Sequence, residues 1–125
     1  MPKKTLVIGA SPEPSRYSYI AINMLREAGH PVVAIGKSQG EVAGVSIQKE
    51  QMHYPDIDTV TLYINPTFQK AYYNYLIQLK PQRIIFNPGT ENPELAELAQ
   101  QAGISTMDAC TLVMLRTGQY KKSCP

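Results

Sequence analysis

The chain has 125 residues, 43% of them hydrophobic and 18% charged, which fits one folded unit over 1–125 and excludes a disordered chain. A formal net charge of +2 is too small for a general nucleic-acid binder, and the pairs Lys3-Lys4 and Lys121-Lys122 read as solvated ends. Two cysteines, Cys110 and Cys124, make no disulfide framework, no CxxC or Cys/His cluster points to a metal, and no apolar run suits a membrane span or a signal-peptide core, so a cytoplasmic location is expected.

Thr5 to Ile8 is β-branched, apolar and closed by Gly9, which predicts a buried strand. After the turn Ala10-Ser11-Pro12-Glu13-Pro14, residues Tyr17, Ile20, Ala21, Met24, Leu25 and Ala28 fall on one face of an amphipathic helix, with Ser15 as N-cap and Gly29 at its end. Pro31 to Ile35 is a second strand, ended by Gly36. Lys37 to Pro55 reads as a loop holding one short edge strand around Val42 to Ile47.

Asp58 to Ile64 is the next strand, and Pro66 opens a helix whose apolar face is Phe68, Ala71, Tyr72, Tyr75, Leu76 and Leu79, stopped by Pro81. Arg83 to Phe86 is another strand. Asn92 caps a helix with Pro93 in its first turn and Leu95, Leu98, Ala99 and Ala102 along its buried stripe; Gly103 ends it. Ile104 to Met107 is a last strand and Thr111 to Arg116 a last short helix, followed by a tail from Gly118 to Pro125 expected to be mobile. Strands alternating with helices predict a doubly wound, mostly parallel α/β sheet with helices on both faces.

In such a sheet, ligands bind beyond the carboxyl ends of the strands, where strand order reverses. The tips there are Gly9, Ala10 and Ser11; Gly36 and Lys37; Asn65 and Pro66; and Asn87, Pro88, Gly89, Thr90, Glu91 and Asn92. Small residues admit a ligand close to the backbone. The first tip runs into a helix whose free N–H groups suit a phosphate, and Ser11, Ser15, Arg16 and Ser18 add donors; the plainer reading is an ordinary turn with a solvent-facing arginine. The dinucleotide fingerprint is not met: the turn has one glycine, and Lys37 stands where an acid would hold a ribose diol. That speaks against NAD and leaves NADP or a 3′-phosphorylated nucleotide such as coenzyme A.

Three segments carry a resemblance: Val7-Ile8-Gly9-Ala10-Ser11 with Pro14-Ser15-Arg16-Tyr17-Ser18, then Ala28-Gly29-His30-Pro31-Val32, then Asn87-Pro88-Gly89-Thr90-Glu91-Asn92. The chain resembles the stand-alone CoA-binding domain family, similar to the CoA-binding domain of the succinyl-CoA synthetase α subunit. The resemblance implies a Rossmann-type fold that binds CoA, free or acylated. Gly9, Ala10, Ser11 and Arg16, with Tyr17 and Ser18 beside them, would meet the diphosphate. Gly36 and Lys37 would meet the adenosine and its 3′-phosphate. Ile64, Asn65 and Pro66 would flank the nucleotide–pantetheine junction, and Asn87, Pro88, Gly89, Thr90 and Glu91 the pantetheine arm. Lys37 follows the synthetase's Gly-Lys turn rather than the Asn-Pro turn common among stand-alone members. Neither His30 nor His53 stands where a phosphohistidine belongs, and a ligase-type domain is absent from the sequence.

The expected function is thus a CoA or acyl-CoA binding module, sensor or subunit in acyl-CoA metabolism, without a complete catalytic apparatus of its own. The alternative is an NADP-dependent oxidoreductase, for which no Tyr-Lys or His-Asp pair stands out. His30 and His53 read as turn and loop residues, and Asp108 and Glu91 as capping or solvated acids. Cys110 lies near the ligand edge, where it could meet the CoA thiol, but reads as a small buried residue. Tyr73 points off the helix's buried stripe and is a candidate dimer contact; a homodimer or a partner enzyme is the protein partner to expect.

Overall fold

The apolar runs form the strands of one sheet. In the computed structural model, which describes residues 2–122, these are β1 (Thr5–Ile8), β2 (Val32–Ile35), β3 (Glu41–Val42), β4 (Val45–Gln48), β5 (Thr59–Leu62), β6 (Arg83–Phe86) and β7 (Ser105–Asp108). Their order is β3-β4-β2-β1-β5-β6-β7, parallel throughout except for β3, which runs antiparallel to β4. The helices are α1 (Tyr17–Glu27), α2 (Pro66–Gln69), α3 (Tyr73–Leu79), α4 (Pro93–Gln101) and α5 (Thr111–Arg116), with a 3-10 turn over Lys70–Tyr72 between α2 and α3.

β1, β5 and β6 are buried along their whole length because both faces are covered. Alternate side chains go to opposite faces. Leu6, Ile8, Val60, Leu62, Ile84 and Phe86 meet Leu76 of α3 and Leu95 and Ala99 of α4. Val7, Ala34 and Ile85 meet Ile22 and Leu25 of α1 and Met114 of α5. Full burial of each large aliphatic side chain contributes about 1.5–3 kcal/mol relative to exposure.

Several elements differ from expectation. α1 turns Ser18, Ala21, Ile22 and Leu25 inward and leaves Tyr17 70% exposed. The two stripes have the same spacing; with Ser18 inward, a small side chain faces the sheet. Ser15 does not cap α1; Arg16 occupies that position without a side-chain bond. The region of the expected edge strand is a hairpin, split where Ala43 and Gly44 adopt positive φ. The helix expected to run from Pro66 is broken at Lys70–Tyr72, and Phe68 is 64% exposed rather than buried. Leu98 and Ala102 of the stripe expected along α4 also face outward.

The segment from Gly118, expected to be mobile, is held in the fold as far as Lys122. Tyr120 is buried; its hydroxyl bonds with Thr5 Oγ1, and its carbonyl accepts from Arg83 Nη2 at 2.6 Å. Cys124 lies outside the described residues. No helix among the described residues is long and apolar enough to cross a membrane.

His30 packs edge-on to the Tyr120 ring and is only 1% exposed. Its Nδ1 accepts the Lys3 N–H at 2.9 Å, so the neutral ring carries its proton on Nε2. Burial first, then the charges of Lys121, Lys3 and Arg83, hold its pKa below 6.5. The unfolded ring protonates near 6.5, so stability is lost as pH falls below that value, until the folded ring protonates as well. Urea midpoints of the native chain should drop between about pH 7 and about pH 5, and His30→Gln should lack that share of the drop. Equal slopes for the two proteins would remove His30 as the cause.

Candidate functional site

The chain runs outward from β1 through β2 to β4, then returns to the other side of β1 as β5 and runs outward again to β7. Strand order therefore reverses between β1 and β5, and their carboxyl tips stand side by side. Gly9 has φ +93, and a Cβ there would lie 2.8 Å from the Tyr63 carbonyl carbon and oxygen. Only glycine fits both that backbone and that approach. On the other side, a Cβ on Gly36 would lie 2.1 Å from the Ala10 carbonyl oxygen. The N–H groups of Gly9 and Ala10 both donate to the Ile35 carbonyl, at 2.9 and 3.0 Å, so the tips of β1 and β2 are locked together.

α1 starts from this first tip. Arg16, Tyr17 and Ser15 are exposed, and Ser18 is buried. No side chain caps the helix, and its first turn holds no acidic residue. α2 is capped by the Asn65 side chain and α4 by that of Asn92, whereas the shorter α3 and α5, like α1, start without a side-chain cap or an acid. The Ser11 hydroxyl oxygen accepts the Glu13 N–H at 3.1 Å, which leaves its hydrogen free to donate. Lys37 is exposed just beyond Gly36.

At the tips of β5 and β6 the polar side chains are mostly engaged inside the fold. Asn87 is buried, and its amide orientation is set by the backbone: Oδ1 accepts the Thr111 N–H at 2.9 Å and Nδ2 donates to the Leu62 carbonyl at 2.9 Å. Nδ2 also donates to Thr61 Oγ1, which pairs with Thr111 Oγ1. The Asn87 side chain thus ties β5, β6 and α5 together. Thr90 Oγ1 donates to the Asn87 carbonyl, closing the turn in which Pro88 and Gly89 are exposed, and Glu91 accepts the Gly89 N–H. Ile64 and Pro66 are half-buried and Asn65 is exposed.

Two residues were missed by the sequence reading. Gln69 is fully buried; its Nε2 donates to the Ile64 carbonyl at 2.9 Å and the Thr90 carbonyl at 2.8 Å, and its Oε1 accepts from Asn92 Nδ2 at 2.9 Å. Asn92 Nδ2 donates also to the Tyr73 hydroxyl, which donates to Glu94. The signal was a glutamine three and seven residues before Tyr72 and Leu76, on the apolar spacing. Tyr63 directly follows β5, and among the described residues its buried hydroxyl has no hydrogen-bond partner. Burial pushes its pKa up to about 12, so it stays protonated at neutral pH and is no general base.

Cys110 is half-buried at the start of α5. Among the described residues, no three His, Cys, Asp or Glu side chains are grouped to hold a metal. A hollow of about 350 Å³ opens at the opposite, amino edge of the sheet, lined by Asp56, Ile57, Asp58, Leu79, Lys80 and Gln82. Its two carboxylates disfavour a phosphate.

A doubly wound sheet, with an uncapped helix start and glycine tips at its switch point, defines a Rossmann-type nucleotide-binding fold. The chain belongs to the CoA binding domain family, whose model matches residues 3–116. It is similar to a crystal structure of an uncharacterized protein, 49% identical, with a TM-score of 0.94 over 96% of this chain and 99% of that one. A hypothetical protein from Pyrococcus horikoshii OT3 is 27% identical, with a TM-score of 0.83 over 92% of this chain and 82% of that one. The apo form of dinucleotide forming acetyl-coenzyme A synthetase 1 from Ca. Korarchaeum cryptofilum shares the fold at 17% identity, with a TM-score of 0.70 over 86% of this chain and 26% of that one. No curated protein matches.

Proposed function

We propose that the chain binds coenzyme A, free or acylated, along the carboxyl edge of the sheet, and serves as a binding module, sensor or subunit in acyl-CoA metabolism. The observation that carries this is the amino end of α1. Of the two longer helices among the described residues, α1 and α4, only α1 starts without a side-chain cap or an acid, and it follows the β1 tip in the chain with Arg16 at its cap position. Free backbone N–H groups, the Ser11 hydroxyl and the Arg16 guanidinium are the donors a diphosphate needs. Lys37, beyond Gly36, is the charge for a 3′-phosphate. Ile64, Asn65 and Pro66 border the route to the pantetheine, and Pro88 and Gly89 offer exposed backbone to it, with Asn87 and Thr90 holding that turn in shape. Tyr17 and Ser18 complete the first turn of α1, and Glu91 braces Gly89. A homodimer or a partner enzyme would use the chain as its CoA holder.

Thermal unfolding of ligand-free protein with CoA, dephospho-CoA, acetyl-CoA, NAD and NADP tests the reading. A ligand at about a hundred times its Kd adds about 2.7 kcal/mol, an easily measured rise in Tm. The expected order is CoA and acetyl-CoA above dephospho-CoA, and Lys37→Gln should remove most of that difference. A rise with NADP and none with CoA would overturn the proposal in favour of the oxidoreductase.

A further inference from the structure

We infer that Gln69 is a positioning residue that sets the width of the crevice at its pantetheine end; the inference rests on the CoA reading above. Its amide cannot be turned over. Both Nε2 hydrogens go to carbonyls, those of Ile64 and Thr90. Its oxygen faces Asn92 Nδ2, because Asn92 Oδ1 is taken by the Leu95 N–H at 3.2 Å. One amide, with both N–H groups donated and its oxygen accepting from Asn92, therefore joins the tip after β5, the turn after β6 and the start of α4. Its donors are spent and its side chain is fully buried, so it acts through the two loops it holds.

The cost of such a group in the core is high unless every bond is made, so the network favours one spacing of the loops. The buried Gln69 stands at the last residue of the short α2, next to the exposed Phe68. The anion-binding end lies elsewhere. Gly9, Arg16 and Lys37 follow β1 and β2, and Gln69 bonds to none of them. The two halves of CoA should therefore respond differently to its loss.

The test is titration calorimetry of native protein, Gln69→Met and Gln69→Glu with two probes, CoA and adenosine 3′,5′-bisphosphate. Gln69→Met keeps length but removes the donors; it should weaken CoA about tenfold and leave the bisphosphate within about twofold. Gln69→Glu presents an acceptor to two carbonyls until it is protonated, so its CoA affinity should recover toward acid pH, where that of Gln69→Met does not. Equal weakening of both probes, or no change in either, in variants with native circular dichroism would overturn the inference alone. Native protein that binds neither probe would overturn the CoA reading and this inference with it.

Discussion

Gly36→Ala should lower Tm by about 10 °C or more and abolish CoA binding. The added carbon would stand 2.1 Å from the Ala10 carbonyl oxygen and 3.2 Å from a methyl of Ile47. Ile47 can rotate or shift by a few tenths of an ångström. The carbonyl cannot, because it belongs to a tip held by two N–H groups on Ile35. Relief requires parting the tips of β1 and β2, which forfeits those bonds and overpacks the edge of the core. Overpacking costs about 1–3 kcal/mol, and each buried donor left unpaired costs about 1–3 kcal/mol more. The same movement carries Gly9 and Ala10 away from Lys37, so the proposed CoA site would be lost with stability. Circular dichroism melts and calorimetry with CoA decide it: a variant with native Tm would mean that the two tips do not touch.

Arg83→Met should cost about 2–3 kcal/mol and release the chain beyond Thr117. Arg83 is 3% exposed and starts β6, yet no carboxylate touches it among the described residues. Its charge is met by the Thr59 hydroxyl at 2.7 Å and the carbonyls of Tyr120 and Lys122 at 2.6 and 3.3 Å, with the Tyr120 ring 4.6 Å beneath. The Thr59 hydroxyl in turn donates a hydrogen bond to Asp58 Oδ1, and Asp58 pairs with Lys3. Methionine fills the space but leaves two carbonyls and a hydroxyl without their donor. Arg83→Lys should not restore them, since an ammonium cannot reach three directions in one plane as a guanidinium does. Hydrogen exchange over residues 117–122 should rise in both variants before the sheet itself opens; unchanged protection there would contradict this role.

The sheet was legible because its strands are short β-branched runs closed by Gly or Pro, and the tips could be named once the strands were placed. Helix faces were less so. In α1 the stripes beginning at Tyr17 and at Ser18 have the same period, and the sum of apolar character favours the wrong one. Ser18 faces inward, which no periodicity reports. The inward place of Gln69 was hidden for a related reason: it depends on hydrogen bonds to Thr90 and Asn92, more than twenty residues away. The docking of Tyr120 is not legible in the polarity of the segment around it. One tyrosine in a run of Lys, Gln and Ser is weak evidence for docking until Thr5 and Arg83 are seen to converge on it. The place of Asn87 after β6 does not reveal its side-chain bonds to Leu62 and Thr111, which lie twenty-five and twenty-four residues away.

The two ends of the described chain come out at the same edge. Lys3 is bonded to His30 ahead of β2, and the Lys122 carbonyl to Arg83 at the start of β6, both at the amino ends of strands whose carboxyl ends are proposed to bind CoA. The protein is therefore built like a socket with its leads at the back. A tag, tether or fused enzyme inserted at Lys3 or Lys122 would sit on the edge of the sheet opposite the proposed CoA site.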